Sequence, residues 1–194
     1  MIPFKPKQFN DTQVINVLSA WQTMPVVLYD IMRRFRLNNR LALEFGVENG
    51  YSLSALANYF HKVIGVDPFD FNPQQDVITT YKQVQERLKD YKNVALFVGT
   101  AEEYIKQTLL KRYDLIHIDI GYESHDYTTT YPVGEWAVQH SRCVLFHDIF
   151  TFPEINTVCE ELAAKYNMKY HAYTEEVGPV GVPCGLGILT RMRW

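Results

Sequence analysis

The chain has 194 residues, 47% of them hydrophobic, and a formal net charge of −3. That is one domain's worth of chain with ample apolar material for a core, and its scattered lysines and arginines form no basic footprint, which excludes nucleic acid as the expected partner. Three cysteines (Cys143, Cys159, Cys184) without CxxC-type spacing read as buried, reduced thiols of a cytoplasmic protein, while the absence of a signal-peptide core at the N-terminus and of any run near the ~20 apolar residues of a membrane span predicts a soluble chain with no membrane partner.

Taken in chain order, residues 11–35 show apolar side chains at helical spacing (Val14, Ile15, Leu18, Trp21, then Val27, Leu28, Ile31, Met32, Phe35), and Pro25 divides them into two predicted helices. These make residues 1–38 a helical extension on a core of residues 39–194, within a single domain. An exposed apolar stripe of that size predicts association, so a homodimer is expected. Short apolar runs follow at 41–45, 63–66, 94–98, 115–118 and 143–146, separated by helix-like segments at 52–60, 76–91, 101–111 and 126–139. That alternation predicts buried parallel strands joined by crossover helices, an α/β class. After a helix at 155–166, the segments 169–175 and 185–190 are strand-like, and the loop EVGPVGVPC between them suits an antiparallel ending. The expected architecture is a Rossmann-like, doubly wound, mostly parallel seven-stranded sheet with an antiparallel C-terminal strand.

In such a sheet ligands bind beyond the carboxyl ends of the strands. Those ends carry Glu44 and Gly46, then Gly50 and Ser52 leading into the first crossover helix, Asp67, Gly99, Asp119, and His147 with Asp148. Glycines at 46 and 50 let backbone approach a ligand closely, and the helix start offers N–H groups. Asp67, 21 residues after Gly46, is placed to accept hydrogen bonds from a ribose. The loop Gly46-Val-Glu-Asn-Gly50 lacks the second and third glycines of GxGxxG, and Glu44 would sit badly beside a pyrophosphate but well near an ammonium group. This favours S-adenosylmethionine over a dinucleotide. A strand-to-helix turn that both glycines merely tighten is the structural alternative.

The segments LALEFGVENGYS, VIGVDPF, ALFVGTAEEYI, DLIHIDIGYESHDY, RCVLFHDI and GLGILTR, in that order, resemble class I S-adenosylmethionine-dependent methyltransferases, and most of all the small O-methyltransferase-like group that includes macrocin and related sugar or natural-product O-methyltransferases. The resemblance implies that Glu44, Gly46 and Gly50, with Ser52 at the helix start, surround the methionine moiety. It implies that Asp67 holds the ribose and that Thr100 and Ala101 border the adenine. Phe69 reads equally as a stacking partner for that base and as a core aromatic. Asp119 matches the acidic residue beside the transferred methyl group. Asp119 and Asp148 would converge on a divalent ion, magnesium in the metal-dependent relatives, which would lower the pKa of an acceptor hydroxyl. His147 stands as a metal ligand, an acceptor-binding group or a buried histidine. His125, in a segment loosely matching the family's IDGxHxY, is the alternative general base, and His117 reads as a core residue.

The function expected is O-methylation of a small-molecule hydroxyl, of a sugar or natural-product type. A catalytically silent methyltransferase-fold binding protein is the alternative, and a nicotinamide-dependent oxidoreductase, disfavoured by the missing glycines, is the third reading.

Overall fold

The computed structural model describes residues 13–17, 19, 21–110, 112–121, 127–173 and 184–191. Its strands are Leu41–Phe45 (β1), Lys62–Asp67 (β2), Val94–Val98 (β3), Leu115–Ile118 (β4), Cys143–His147 (β5), Lys169–Tyr173 (β6) and Leu186–Thr190 (β7). They form one seven-stranded sheet in the order β3-β2-β1-β4-β5-β7-β6. The first five strands pair in parallel, and β7 inserts antiparallel between β5 and β6. The expected sheet is therefore the observed one. The apolar runs behave as strands because they are too short for buried helices and are rich in Val, Ile, Leu and Phe; β4, β5 and β7 are buried at every position.

Six helices accompany the strands: Met24–Arg34 (α1), Tyr51–Ala57 (α2), Val77–Arg87 (α3), Ala101–Gln107 (α4), Tyr127–His140 (α5) and Pro153–Tyr166 (α6). Local signals set several ends. The Asp76 side chain accepts from the Thr79 N–H at 2.9 Å to cap α3, and Thr100 with Glu103 forms a capping box on α4. Asn167 closes α6 in the left-handed conformation.

Side-chain alternation along the strands sorts the core into two layers. Ala42, Val63, Leu115, Leu145 and Ile188 face α1 and α2, whereas Leu43, Phe45, Ile116, Phe146 and Leu189 face α5 and α6. Chain order runs one way from β1 through β2 to β3 and the other way through β4 to β5, so the strand ends diverge between β1 and β4. A crevice opens at that reversal.

The N-terminal region differs from expectation. Among the described residues there is one helix before β1, not two, because Pro25 begins α1 rather than interrupting a longer run. Proline suits the first helical turn, where its missing N–H would have no partner anyway. The segment ahead of it is tied down by side chains: the hydroxyls of Tyr51 and Tyr59 donate to the carbonyls of Gln22 (2.6 Å) and Pro25 (2.8 Å), and the Asn58 amide donates to the carbonyl of Gln13 at 2.8 Å. Trp21, Val27, Leu28, Ile31 and Phe35 are all buried in the layer beneath α1. The apolar stripe that motivated a homodimer is thus covered by the chain's own core. No helix among the described residues is long and apolar enough to cross a membrane.

If α1 is integral to the core, Leu28→Ala and Ile31→Ala, both fully buried, should each destabilise the protein by about 2–5 kcal/mol in denaturant unfolding. Losses under about 0.5 kcal/mol, the size of a surface change, would show α1 to be an accessory.

Candidate functional site

The crevice is a cleft of ≈ 640 Å³, within the size range of small-molecule sites. Its floor is the end of β1. Gly46 has φ +87°, and a Cβ added there would lie 1.7 Å from the carbonyl oxygen of Asp119. Only glycine lets the two strand ends approach so closely. Around it, the Gly46 N–H donates to the Val66 carbonyl at 2.9 Å and the Asp119 N–H to the Phe45 carbonyl at 2.8 Å, locking β2, β1 and β4 together at their tips. Gly50, at φ +88°, caps α2, but its open side faces Leu88 and Ile15. It shapes the turn without lining the cleft.

Asp67 lines the cleft while binding its own loops. Its Oδ2 accepts from the Val47 and Glu48 N–H groups at 2.7 and 2.9 Å, and Oδ1 accepts from the Phe69 N–H at 2.6 Å. Burial pushes this carboxyl up from its usual range, and the three backbone donors oppose that shift. Two N–H groups of the first loop, ahead of the helix start, are therefore used by Asp67.

The predicted residues divide into two sets. Gly46, Ser52, Asp67, Thr100, Ala101, Asp119, His147 and Asp148 line the cleft. Glu44, Gly50 and Phe69 do not. Phe69 is fully buried in a T-shaped contact with Tyr81, as a core aromatic would be; Phe71, two residues on, lines the cleft. Glu44 is wholly buried behind the cleft wall, where Oε1 lies 2.7 Å from His117 Nδ1. Burial pushes its carboxyl up, with His117 partly offsetting the effect. His125 lies outside the described residues, as do the rest of residues 122–126 and residues 174–183.

At the β4–β5 end, His147 is 8% exposed and stacks on Trp21, with ring centroids 5.1 Å apart. Its Nδ1 lies 2.9 Å from Asp119 Oδ2 and 3.9 Å from Asp148 Oδ2. The approach is too bent for a well-directed hydrogen bond, and neither ring nitrogen has one among the described residues. Burial alone would lower the pKa of His147, but the charge of Asp119, their contact, and then Asp148 and Glu44 outweigh it and push it up to about 9. Asp148 itself accepts from the Thr151 hydroxyl at 3.2 Å, and the Cys184 thiol joins His147 and Asp148 with donor atoms all within 4.8 Å of one another. Magnesium requires octahedral oxygen ligands. Asp119 and Asp148 supply two carboxylates for it, with waters able to complete the shell; the His147 nitrogen between them and the Cys184 sulfur are not magnesium donors.

Sequence reasoning missed His117, Trp21, Phe71 and Cys184. His117 lines the cleft from inside a buried strand; the one signal was a polar residue interrupting the apolar run LIHI. Electrostatically the lining is one-sided. Glu48, Asp67, Asp70, Glu102, Asp119 and Asp148 line the cleft, and no lysine or arginine does among the described residues.

Gly46→Ala adds a methyl group into the Asp119 carbonyl at a left-handed φ, and it should cost about 2–5 kcal/mol of stability; equilibrium unfolding of the variant checks this, and a loss below 1 kcal/mol (about the least such strain costs) would refute the close approach. The His147 shift has a sign. A pKa raised from 6.5 to about 9 contributes stability that is full below pH 6.5 and lost as pH rises through about 9. Melting temperature measured across that window with chelator present should fall more steeply in the parent protein than in His147→Gln. Parallel curves would show that the Asp119 contact does not favour the imidazolium.

No protein of curated function matches the chain in sequence. In structure it is similar to the O-methyltransferase TomG from Streptomyces achromogenes, solved with S-adenosylmethionine (17% identity, TM-score 0.68, 91% of this chain and 82% of that one). It is similar also to an O-methyltransferase from Bacillus cereus in complex with S-adenosylhomocysteine (17%, TM-score 0.66, 91% and 84%), and to the N-methyltransferase NodS from Bradyrhizobium japonicum (13%, TM-score 0.62, 89% and 98%). These likenesses establish the fold. A methyltransferase-domain family model matches residues 43–149, from β1 to just past β5, the stretch that supplies most of the cleft's walls: the chain belongs to the methyltransferase-domain family, with the class I S-adenosylmethionine-dependent methyltransferase fold.

Proposed function

We propose that the protein transfers a methyl group from S-adenosylmethionine to a hydroxyl oxygen of a small molecule that carries no negative charge. The observation that carries this reading is the charge of the cleft: six lining carboxylates with no lysine or arginine among the described residues. A sulfonium and an ammonium group suit such walls. A pyrophosphate or a nucleic-acid backbone does not, which counts against both the nicotinamide reading and a polynucleotide acceptor.

The residues present fit the cofactor. Asp67 has about one acceptor position left beyond its three backbone partners, enough for a ribose hydroxyl. Phe71, Thr100 and Ala101 offer an apolar rim with one hydroxyl for a base, and Ser52 and Gly46 border the β1 loop. When bound, S-adenosylmethionine supplies an electron-poor methyl carbon on a trivalent sulfur that leaves as a neutral thioether. The protein's share of the chemistry is to place the acceptor oxygen in line with that carbon and to take up its proton. Asp119 is fitted for the second task, since it directly follows β4, lines the cleft and has the His147 Nδ1 2.9 Å from its Oδ2. Oxygen as the acceptor atom also agrees with the O-methyltransferases to which the fold is similar.

Calorimetric titration with S-adenosylmethionine, S-adenosylhomocysteine and NAD should show binding of the first two and none of the third. Asp67→Asn, with its fold verified by melting, should weaken S-adenosylhomocysteine by about 1–3 kcal/mol. Against uncharged and amine-bearing hydroxyl compounds, Asp119→Asn should lose most turnover while keeping cofactor affinity. NAD binding of equal strength would overturn the cofactor assignment, and tight S-adenosylmethionine binding with no methylated product across the panel would favour the silent binding protein.

A further inference from the structure

We propose that His117, held from behind by Glu44, is a ligand-binding residue of the cleft, and that its Nε2 forms a hydrogen bond with the amino-acid end of S-adenosylmethionine. This deepens the methyl-transfer reading and rests on it.

The pair is set by the sheet. Glu44 and His117 stand directly opposite in the register of β1 and β4, and they meet at 2.7 Å through Oε1 and Nδ1. A pair whose only task was to fill the core would satisfy its own polar atoms, or aliphatic side chains would take its place at lower cost. This one leaves a nitrogen over: His117 Nε2 is buried with no hydrogen bond among the described residues. Because Glu44 fixes the Nδ1 edge of the ring, Nε2 lies on the edge turned away from that carboxyl. His117 lines the cleft yet is only 1% exposed, so its partner is a group pressed against the wall and sheltered from water, where a hydrogen bond is strengthened.

Strand order indicates which part of the cofactor comes here. Along β3-β2-β1-β4 the cleft presents Thr100 after β3, Asp67 at the end of β2, Gly46 after β1 and Asp119 after β4. With the base at Thr100 and Ala101 and the ribose on Asp67, the sulfonium and its amino-acid chain extend across Gly46 to β4, the strand that carries His117. That end of the molecule bears an ammonium and a carboxylate. The wall has no lysine or arginine for the carboxylate among the described residues, and the other lining imidazole, His147, is engaged with Asp119 at 2.9 Å. An imidazole nitrogen can accept from an ammonium or donate to a carboxylate. Glu44 itself is turned inward, behind two residues of the wall: burial pushes its carboxyl up, and contacts with His117 and Ser52 oppose that shift. His117 therefore carries the influence of Glu44 to the cleft.

Calorimetry on the intact chain compares S-adenosylhomocysteine with methylthioadenosine, which shares the nucleoside and lacks the amino-acid end. In His117→Asn the amide reaches the place of Nδ1 and keeps a partner for Glu44, while nothing stands where Nε2 stood. This variant should bind S-adenosylhomocysteine roughly tenfold more weakly, with methylthioadenosine affinity unchanged. His117→Gln, whose amide reaches the place of Nε2, should recover part of the loss. Magnetic resonance of the parent protein with isotope-labelled histidine depends on no variant folding: the His117 Nε2 signal should shift with S-adenosylhomocysteine and stay in place with methylthioadenosine. Equal effects on the two ligands in a folded His117→Asn, or an Nε2 signal indifferent to S-adenosylhomocysteine, would overturn the assignment. Failure of the parent protein to bind either compound would overturn the cofactor reading beneath it.

Discussion

The tightest constraint in the molecule is the contact between the backbone of Gly46 and the carbonyl of Asp119. It brings the tips of β1 and β4 together at the point where the sheet reverses its strand order, and everything around the cleft is positioned relative to it. Because the chain turns at Gly46 with positive φ, the next two N–H groups point at Asp67, and the carboxylate that ends β2 becomes the clasp of the first loop. Because Asp119 is pinned through its own N–H to Phe45, its side chain is held at the neighbouring strand end, against His147. One steric requirement thus places two acidic residues on opposite walls of one cleft.

Beneath the cleft lies a row of polar side chains that an apolar sheet does not ordinarily admit. Glu44, His117 and His147 project from β1, β4 and β5 to the face covered by α1 and α2, along with Ala42, Leu115 and Leu145, and all three are buried. Burying ionisable groups is costly unless they compensate one another. Glu44 and His117 are directly opposite in the sheet register and pair at 2.7 Å; His117 meets His147 edge-on with centroids 6.0 Å apart; and Trp21 lies flat on His147. The N-terminal segment that carries Trp21 therefore has two roles in one packing arrangement: it completes the apolar layer over α2 and shields the polar row from water on one side. A core built for stability alone would fill those positions with aliphatic side chains.

Similarity of fold to enzymes that methylate oxygen and to one that methylates nitrogen leaves the acceptor to be argued from side chains. Here the decisive property is charge. Carboxylates at the ends of β2 and β4, in the β1 loop and on α4 all line the same volume, with no lysine or arginine among the described lining residues, and a low-dielectric cleft focuses their field. Such a cleft favours cations over phosphates.

The sequence by itself determined the strands, their alternation with helices from β1 onward and the family. Each strand run was legible because its apolar residues are contiguous, and the ends of β1, β3 and β4 agree with the boundaries read from the pattern. The residues Gly46, Asp67 and Asp119 were legible too, since a strand end is a local feature and the doubly wound sheet places ligands at strand ends. What only the tertiary structure decided is which side chains face one another. That Glu44 turns inward to His117 rather than toward a ligand depends on its position in the pleat and on the strand that β1 pairs with. That Phe71 and not Phe69 reaches the cleft depends on a loop anchored by the Asp67 carboxylate. The burial of the α1 stripe depends on a layer assembled from α2 and several strands, and the meeting of Cys184 with His147 depends on the antiparallel register of β5 and β7. Period and composition report what a residue's immediate neighbours require, whereas these contacts arise between segments far apart in the chain, brought together only when the whole sheet closes its core.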